Sequence, residues 1–421
     1  MDRVSGTRLR RADGLGVSIW DEGMAMNGKS ITVLGAGVAG LAIARALALQ
    51  GAQVTVLEQA DAIRDIGAGL QISPNGAAVL GALGLGDALR QRSMRAQAVE
   101  LRDGLDGSLV TRLDVARLRP DQGYHFLHRA DLISLLLEGA KDAGVELRLL
   151  QKIESVDLSG DSPVVQTAQG VTIAADVLIG ADGLHSPTRY ALNGKVAPFF
   201  TRQVAWRTLI PCEPGAESVA EVHMGPGRHL VSYPLRGGTL RNIVAVEERN
   251  RWVDEGWSIR DDAMELRLAF QSFGPRVRQW LDQVEDVWLW GLFRHNVAEN
   301  WYRCLPKGAV AILGDAAHPT LPFLAQGASM GLEDAWVLAD CLTKAAATGQ
   351  SMETALGAYQ ATRSPRCTKI VDAANRNARS YHLSGPIRDI AHLGLRLGGK
   401  VAPQFAMSRF DWLYGHDVTR A

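Results

Sequence analysis

The chain has 421 residues, which suggests two or three domains because a typical domain contains roughly 150 residues. Hydrophobic residues make up 47% of the chain and charged residues 21%, a balance typical of a globular protein with a sizeable core. The 45 lysines and arginines equal the 45 aspartates and glutamates, so the formal net charge is zero. This balance argues against nucleic acid as a partner, because nucleic-acid-binding proteins need excess cations to neutralise phosphates.

The cysteines and the N-terminus bear on the location of the protein. The four cysteines lack CxxC or metal-ligand spacing and are too sparse for a disulfide framework, so we expect reduced thiols, no metal site and a cytoplasmic location. No apolar run reaches the ~18 residues that a membrane span needs. Residues 1–27 lack the apolar segment of a signal peptide. We interpret them as a disordered leader or as the result of a start codon assigned too early.

A βαβ unit opens the regular part of the chain. Ser30–Leu34 is typical of a strand, Leu41–Gln50 of a helix and Val54–Leu57 of a second buried strand. A strand, a helix and another buried strand in this order predict a parallel sheet with a right-handed crossover.

Alternating helices and strands follow. Ser73–Leu89 predicts a helix, and Val99–Arg102 with Ser108–Thr111 predicts an antiparallel hairpin around Asp-Gly turns. Arg129–Gly144 predicts another helix, and Val177–Ile179 another buried strand.

The centre of the chain changes character. Its alternating strands predict a meandering antiparallel sheet formed by Val204–Pro211, Val219–Met224, His229–Pro234 and Leu240–Glu247. Parallel character returns with Ala309–Leu313, a long helix is predicted from about Ala328 to Ala347, and the tail from Met352 is mostly helical.

Three glycines at the first strand–helix junction predict a dinucleotide site. Gly35, Gly37 and Gly40 form GxGxxG, in which the glycines permit a tight turn, close approach of a pyrophosphate and close helix–strand packing. The helix N-terminus offers N–H groups and a partial positive charge to phosphates. Glu58 follows the second strand, 18 residues after Gly40, where an acid can bind ribose hydroxyls. These residues do not distinguish NAD from FAD.

Two further motifs each follow a buried strand. One contains Asp182, Gly183, Ser186 and Arg189, and the other is Gly314-Asp-Ala-Ala-His-Pro319. Alone, each is as typical of an ordinary turn as of a site that binds sugar hydroxyls.

Together with the glycine motif, these motifs resemble those of the class A flavoprotein monooxygenases, which have the p-hydroxybenzoate hydroxylase fold. Gly67–Asn75, His128–Leu132 and Trp412–Gly415 look like the branch of salicylate hydroxylase and 3-hydroxybenzoate 6-hydroxylase. The resemblance extends from about Lys29 to about Val418.

The resemblance implies an α/β fold. We expect a Rossmann-like FAD-binding domain with a parallel sheet, an inserted antiparallel-sheet substrate domain and a helical C-terminus. The expected boundaries are 28–98, 123–195 and 300–375 for the FAD-binding domain, 99–122 and 196–299 for the substrate domain, and 376–421 for the C-terminal region.

The resemblance also implies the residues of the cofactor site. Gly35, Gly37 and Gly40 would hold the FAD pyrophosphate, and Glu58 the adenosine ribose. The remaining implied contacts are Gln71 near the ribityl chain, Arg129 at the flavin or its phosphates, Asp182 at FAD and the NAD(P)H path, Asp315 at the ribityl or phosphate region, and the helix after Gly327 at the flavin pyrimidine. A helix N-terminus there would stabilise the negative charge of reduced flavin.

The central sheet supplies the candidate catalytic residues. His229 and Tyr233 share one face of a strand, about 13 Å apart, which leaves room for a planar aromatic ring between them. In the resembling branch, a His and a Tyr at this spacing contact the substrate hydroxyl, and Pro322 falls where the family places a proline against the flavin. Packing in the sheet is the alternative for His229 and Tyr233. Arg207 is a candidate for a substrate carboxylate, although a surface salt bridge is the interpretation we favour.

The implied activity is that of a monooxygenase. Such an enzyme uses FAD, NADH or NADPH as a transient electron donor, and O2 to hydroxylate a phenolic or hydroxypyridine carboxylic acid through a flavin C4a-hydroperoxide. One alternative is the same fold acting as an epoxidase or as a polyketide or antibiotic hydroxylase. Another is a flavin-binding redox module without turnover.

The tail carries apolar residues at helical spacing. They are Ile387, Ile390, Leu393, Leu397 and Val401. We expect them to pack on the body of the protein, with a dimer contact or a lipid surface as alternatives, so the chain is predicted to be a monomer or a homodimer.

Overall fold

The computed structural model describes residues 25–62, 68–121, 123–249, 251, 253, 259–401 and 403–420. Residues 1–24 of the predicted leader and Gly67 of the Gly67–Asn75 motif lie outside the described residues. The strands are β1 (Ser30–Leu34), β2 (Gln53–Leu57), β3 (Gly69–Ile72), β4 (Met94–Arg95), β5 (Ala98–Asp103), β6 (Leu109–Leu113), β7 (His125–His128), β8 (Glu146–Arg148), β9 (Ile153–Asp157), β10 (Val164–Thr167), β11 (Thr172–Ala174), β12 (Val177–Gly180), β13 (Phe199–Pro211), β14 (Val219–Gly225), β15 (Arg228–Leu235), β16 (Leu240–Glu248), β17 (Ile259–Asp261), β18 (Val287–Arg294), β19 (Tyr302–Leu305) and β20 (Gly308–Ile312).

Helices surround these strands and form the C-terminal part of the chain. They are α1 (Val38–Leu49), α2 (Pro74–Ala82), α3 (Gly86–Arg92), α4 (Val115–Leu118), α5 (Arg129–Asp142), α6 (Pro187–Asn193), α7 (Ala263–Ala269), α8 (Pro275–Leu281), α9 (Gly327–Thr348), α10 (Met352–Tyr381), α11 (Gly385–Val401), α12 (Pro403–Ser408) and α13 (Asp411–Tyr414). Short 3-10 turns lie at Arg236–Gly238, Gly314–Ala316 and Pro322–Leu324.

A six-stranded sheet forms the first layer, in the order β19-β20-β12-β1-β2-β8. The strands from β20 to β8 run parallel, and only the edge strand β19 is antiparallel to its neighbour. Helix α1 packs against α5 and α9, and the apolar side chains of these helices and strands form one continuous core. The βαβ unit predicted from the sequence is confirmed.

An eight-stranded sheet forms the second layer, in the order β17-β18-β13-β16-β15-β14-β5-β6. The consecutive strands β14, β15 and β16 form the predicted meander, but β13 lies between β16 and β18 rather than beside β14. The hairpin of β5 and β6 joins the far edge, where β5 runs parallel to β14. The α/β class with an inserted, mainly antiparallel sheet is thus confirmed, while the numerical domain boundaries stay a prediction.

The structure also differs from the predicted elements in one helix and in its small sheets. The helix predicted at Ser73–Leu89 is two helices, α2 and α3, because Gly84 between them has φ of +75°, a left-handed conformation that ends a helix. The small sheet of β9, β10 and β11 was not predicted. Its strands are short and largely exposed, so they carry little apolar alternation.

A buried ion cluster joins α9 to α10. Arg363 donates to Glu333 and, at 2.7 Å, to Asp334, while Arg366 donates two 2.8 Å hydrogen bonds to Glu333. Asp334 also accepts a 2.9 Å hydrogen bond from the backbone N–H of Gly314. The cluster therefore fixes the turn after β20 to the two longest helices.

Helix α11 contacts the body with its polar side. His392 lies 3.2 Å from the carboxylate of Asp103, and Arg396 donates a 2.8 Å hydrogen bond to Ser108. The apolar residues of the tail point the other way: between 56% and 83% of the surface of each is exposed in Ile387, Ile390, Leu393, Leu397 and Val401. The prediction that this stripe packs on the body is wrong, because His392 and Arg396 bind the opposite face of the helix to Asp103 of β5 and to Ser108 in the turn before β6.

Among the described residues, none of the helices combines the length and the apolar character that crossing a bilayer requires.

Candidate active site

The three sequence motifs meet at one edge of the six-stranded sheet. The glycine motif follows β1, Asp182 follows β12, and Asp315 follows β20. Because β20, β12 and β1 are adjacent and parallel, their carboxyl ends lie side by side. Such an edge is where open α/β sheets bind their ligands.

The three glycines differ in the space around them. Gly35 has φ of +97°, and a Cβ there would lie 2.5 Å from the carbonyl oxygen of Ala181. A Cβ on Gly40 would lie 1.9 Å from the carbonyl oxygen of Gly35. A Cβ on Gly37 would meet no described atom within 4 Å, so this glycine faces an open cradle at the N-terminus of α1.

Glu58 closes the other side of this cradle. Its carboxylate accepts hydrogen bonds of 2.7 Å from the backbone N–H of Ala36 and 2.9 Å from that of Ala60. Each carboxylate oxygen has a second lone pair, so Glu58 retains acceptor capacity for a hydroxyl.

Asp182 organises the second motif. Its carboxylate accepts hydrogen bonds from the hydroxyl groups of Ser186 and Thr188 and from the backbone N–H of Thr188. Burial raises the pKa of Asp182, whereas these hydrogen bonds lower it. Arg189 in turn donates to the carbonyl groups of Ala316 and Asn296, which ties the second motif to the third.

In the third motif, Asp315 and His318 have different surroundings. Asp315 has an exposed side chain, close enough to Arg129 and His295 for their charges to act on it. His318 is fully buried and hydrogen-bonded to Asp334, whose negative charge raises the pKa of the imidazole against the effect of burial. His318 therefore belongs to the buried ion cluster and not to the open cleft.

One group of side chains has the composition of a metal site. Ligand-type atoms of His318, Asp334 and Cys367 lie within 4.8 Å of one another. The carboxylate of Asp334 is already engaged by Arg363 and by the N–H of Gly314. This arrangement is that of a compensated buried carboxylate.

The first turns of α9 pack beside the glycine motif, since a Cβ on Gly331 would lie 3.1 Å from the Cβ of Ala39. Gly327 is the first residue of α9, and no acidic side chain lies in the described first turn, so the positive end of the helix is not neutralised there. Gln326 just before it is buried and donates 2.9 Å to Ser73 while accepting from Asn75. Asn75 also donates to Glu333, which links this turn to the ion cluster.

Strand register places the candidate catalytic residues on one face of the eight-stranded sheet. His229 pairs with Val246, Val231 with Val244, and Tyr233 with Asn242. In the next strand, Arg207 pairs with the same Val244, so Arg207 lies two strands from Val231 on the face that carries His229 and Tyr233.

Arg207 is buried, with only 3% of its surface exposed, and its guanidinium lies 5.3 Å from the ring centre of Trp290. Burial, with Arg129 nearby, lowers the pKa of Arg207 to about 10, which leaves the side chain cationic at neutral pH. The preferred interpretation of Arg207 as a surface salt bridge is wrong, because the residue alternates with Trp206 and faces inward. Trp206 packs on the opposite face, where it donates to Asp261.

Aromatic rings surround His229. The ring centres of Phe323, Tyr381 and His382 lie 5.6, 5.1 and 4.9 Å from that of the His229 imidazole. Burial, together with His382, lowers the pKa of His229 well below its usual value, so the imidazole is neutral at pH 7. Pro322 directly precedes Phe323 and is exposed.

Tyr233 is buried on the same face. Its ring packs 5.1 Å from that of Phe126, and burial raises the pKa of its hydroxyl. Gln71 lies beside it and accepts a 2.7 Å hydrogen bond from Tyr124. The structure therefore brings Gln71 to Tyr233, which shares its strand face with His229, while Glu58 lies beside the glycine motif at the carboxyl end of β2.

Comparison with known proteins decides the family. The family described as FAD binding domain matches residues 29–374. The chain belongs to this FAD-binding family. It is 33% identical to 3-amino-4-hydroxybenzoate 2-monooxygenase of Streptomyces platensis over 93% of this chain and 97% of the relative. It is 32% identical to 3-hydroxybenzoate 6-hydroxylase of Klebsiella oxytoca over 91% of this chain and 96% of the relative.

Solved structures of the FAD-binding family share the fold. A salicylate hydroxylase in a substrate complex superposes with a TM-score of 0.76 at 24% identity, covering 93% of this chain and 96% of the other. HpxO of Klebsiella pneumoniae, solved with FAD and uric acid, superposes with a TM-score of 0.76 at 23% identity, covering 92% and 98%. Because its relatives at 32–33% identity are named monooxygenases and hydroxylases, the chain is a flavin-dependent monooxygenase of the aromatic hydroxylase type.

The residues present fit FAD. The open cradle at Gly37 lies at a helix N-terminus, where backbone N–H groups can meet a pyrophosphate. Glu58 has acceptor capacity at the end of β2, and the uncompensated N-terminus of α9 closely follows the turn of Phe323, whose ring lies 5.6 Å from that of His229 on β15. These three features have the chemistry that the two ends of a flavin dinucleotide require.

The sequence did not reveal several residues that shape this site. Glu333, Asp334, Arg363 and Arg366 are charged residues within helices, which usually indicate solvated faces. His382 and Glu248, which adjoin His229, are remote from it in the chain. The motif glycines, the acids after strands and the alternating strand of His229 and Tyr233 carried a local signal, because each depends on its own short segment of the chain.

We predict that Gly37→Ala impairs FAD binding but not folding, whereas Gly40→Ala impairs folding. Gly37→Ala adds a methyl group to open space, so the free energy of unfolding of the apoprotein should change by less than about 0.5 kcal/mol. The methyl group would occupy the cradle, so the Kd for FAD should rise at least ~10-fold, a cost of about 1.4 kcal/mol. Gly40→Ala forces α1 away from Gly35 and should destabilise the apoprotein by about 2 kcal/mol or more.

Urea unfolding of the apoproteins and fluorescence titration with FAD measure these two quantities. Normal FAD affinity in Gly37→Ala would show that the cofactor does not approach this turn.

Proposed function

We propose that this monooxygenase hydroxylates a phenolic or hydroxypyridine carboxylic acid, with NADH or NADPH as electron donor and O2 as the oxygen source. The observation that carries the proposal is the shared face of β13 and β15, which combines a neutral buried imidazole, His229, with a buried guanidinium, Arg207. An acid with a ring hydroxyl matches this pair of groups.

His229 would act as the general base. A neutral imidazole can take the proton of a phenol, and the resulting phenolate is more electron-rich at its ortho and para carbons. Tyr233, two positions beyond Val231, would contact the ring from the other end of the strand. The rings of Phe323 and Tyr381 pack beside the His229 imidazole and would shield it from water. Exclusion of water favours transfer of oxygen to the substrate over release of hydrogen peroxide.

Arg207 would bind the carboxylate. Two strand spacings place it about 10 Å from the backbone of Val231, within reach of a benzoate-sized molecule through its long side chain. A guanidinium binds a carboxylate with two parallel hydrogen bonds. The hydroxybenzoates in the names of the relatives carry the same two functional groups.

FAD, when bound, supplies hydride acceptance from the nicotinamide donor and activation of O2. We propose these cofactor contacts: Gly35, Gly37 and Gly40 at the pyrophosphate, Glu58 at the ribose, Gln71, Arg129 and Asp315 along the ribityl and phosphate region, Asp182 at the entry of the nicotinamide, and Gly327 with Pro322 at the flavin ring. The sequence has no second GxGxxG after a strand, which supports a nicotinamide cofactor that visits without its own domain.

Two alternatives remain distinct from this proposal. Epoxidation or hydroxylation of a non-phenolic substrate would use His229 for positioning only, and phenolic acids would then not accelerate NAD(P)H oxidation. A redox module without turnover would bind FAD but show no substrate-stimulated O2 uptake. We also propose the cytoplasm as the location, supported by four cysteines that are all free thiols.

The prediction for His229 concerns product formation and pH. Purified protein should contain FAD, and 3-hydroxybenzoate, salicylate or a related phenolic acid should accelerate NAD(P)H oxidation with a hydroxylated product. His229→Ala should lower kcat/KM for hydroxylation by ~10²-fold or more and divert reducing equivalents to hydrogen peroxide. Because burial keeps the imidazole neutral, kcat/KM of the wild type should decrease on the acid side only below pH 6.5.

The control is His392→Ala, which removes a histidine of helix α11 that hydrogen-bonds to Asp103 of β5. It should retain coupled turnover. Product analysis by chromatography with peroxide detection makes the measurement, and full coupled activity in His229→Ala would remove this residue from the mechanism.

We propose that a second copy of this chain covers the exposed stripe of α11. Burying its five aliphatic side chains would remove on the order of 500 Å2 from each subunit, a large share of the ~800 Å2 per partner in a stable interface. Gly394 and Gly398 lie between them with open space at their Cβ positions, which permits close approach of another helix. In a dimer with two-fold symmetry, α11 of one subunit would pack against α11 of the other.

Sedimentation velocity of the FAD-loaded protein should show a dimer. Ile390→Glu should weaken the dimer at least ~10-fold, because a charge would be buried in the interface, and Leu268→Glu, at an exposed leucine of α7, should not. A monomer at all concentrations, or a monomer that binds phosphatidylglycerol vesicles through this stripe, would overturn the proposal.

A further inference from the structure

A chain of hydrogen bonds connects His229 to the protein surface. Nδ1 of His229 lies 2.7 Å from Nε2 of His382, and Nδ1 of His382 lies 2.8 Å from Oε1 of Glu248. Exposure rises along the chain, since the side chains of His229 and His382 are buried while that of Glu248 is 53% exposed. The three groups therefore link the buried sheet face to solvent.

The direction of each hydrogen bond follows from the carboxylate. An ionised carboxylate only accepts, so Nδ1 of His382 must donate to Glu248. A neutral His382 then has an unprotonated Nε2, which must accept from Nδ1–H of His229. Nε2 of a neutral His229 is therefore left as a lone pair. Among the described residues, this atom has no hydrogen-bond partner.

Local structure holds both partners of His229 in place. Gly227, with φ of +67°, donates its N–H to the carbonyl of His382 at 3.3 Å and accepts from the N–H of Glu248 at 2.8 Å. Glu248 lies two residues after Val246 on β16, on the face that also carries His229. A single turn thus positions the end of α10 and the end of β16 around the imidazole.

The charged groups around this chain leave both imidazoles neutral. Burial lowers the pKa of each histidine; Arg228 lowers that of His382 further and Glu248 raises it. Arg228 and Arg249 also lie near Glu247 on the neighbouring positions of β15 and β16. Neutral imidazoles are the form in which a proton can enter at one nitrogen and leave from the other.

We propose that His382 and Glu248 form a proton path that carries the phenolic proton of the substrate from His229 to solvent. The step rests on the proposed function and is balanced in protons. The phenol O–H proton moves to Nε2 of His229, the Nδ1 proton of His229 moves to Nε2 of His382, and the Nδ1 proton of His382 moves to Glu248 and then to water. The phenolate stays bound, one proton is released, and each imidazole ends in its other tautomer. When the hydroxylated ring regains its aromaticity, the hydroxylated carbon loses its proton, the former phenolate oxygen takes one proton back along the path, and both imidazoles return to their first tautomer.

In this path His382 and Glu248 are positioning and relay residues, because they act on the substrate only through His229. Without them, a proton accepted by His229 would leave a cationic imidazole enclosed by the rings of Phe323 and Tyr381. An unpaired charge in such surroundings is costly, so ionisation of the substrate would be less favourable.

The first test requires no substrate. Protein labelled with 15N-histidine and loaded with FAD should show, by NMR, His229 and His382 both protonated at Nδ1 and unprotonated at Nε2, assigned by single His→Gln variants. A proton on Nε2 of either ring would overturn the path whether or not the proposed function holds.

The second test measures proton release. Stopped-flow mixing of the holoenzyme with 3-hydroxybenzoate and a pH indicator dye should show release of about one proton per bound ligand together with a phenolate absorbance band. His382→Phe should slow both signals at least ~10-fold while FAD content and the melting temperature stay close to wild type. Glu248→Gln should slow them less, because water reaches the exposed end of the path. His392→Phe, which breaks a histidine–carboxylate pair outside the path, is the matched control and should leave both signals unchanged.

Chemical rescue separates a proton path from packing. In His382→Ala, added imidazole should restore proton release, whereas N-methylimidazole, which has a similar shape but one blocked nitrogen, should not. Equal rescue by both compounds, or wild-type release in His382→Phe, would contradict the path. Absence of a phenolate band in the wild type with 3-hydroxybenzoate, salicylate and 3-amino-4-hydroxybenzoate would instead refute the proposed function.

Discussion

Two buried carboxylates on α9 must remain paired with two arginines on α10 for the candidate site to keep its shape. Glu333 and Asp334 have no exposed side-chain surface, and Arg363 is equally buried between them. Removing one partner from such a cluster leaves a charge in low dielectric, which typically costs 3–5 kcal/mol, about the same as several core contacts. Asp334 also holds the N–H of Gly314, so the turn that bears Asp315 depends on this pairing.

The two sheets have different functions: the six-stranded sheet suits the cofactor, and the eight-stranded sheet suits the substrate. The carboxyl edge of the six-stranded sheet has open backbone, acids and helix N-termini, which suit a charged dinucleotide. On the inward face of the eight-stranded sheet, His229, Arg207 and the polar groups beside Tyr233 lie among apolar residues such as Val231 and Val244, and Gln203 and Glu248 pair at one end of that face. A ring held between them would have its polar substituents fixed by few groups and its remaining surface shielded from water.

Local patterns in the sequence predicted the βαβ unit, the inserted sheet and the common face of His229 and Tyr233, because a turn or a strand determines its own geometry. The position of β13 between β16 and β18 could not be predicted, since strand order depends on packing between distant segments. The same limit applies to His382, which hydrogen-bonds to His229 across 153 residues of sequence. The spacing of the apolar residues on α11 predicted an amphipathic helix but not its buried side, because the hydrogen bond between His392 and Asp103 is a tertiary contact.

The most direct test of the account is a crystal structure of the FAD-loaded protein with a phenolic acid such as 3-hydroxybenzoate bound. The account predicts an isoalloxazine ring next to Pro322, a substrate hydroxyl at hydrogen-bond distance from Nε2 of His229 and a carboxylate on Arg207. A flavin ring on the outer side of the six-stranded sheet, or a ligand whose hydroxyl points away from β15, would contradict it.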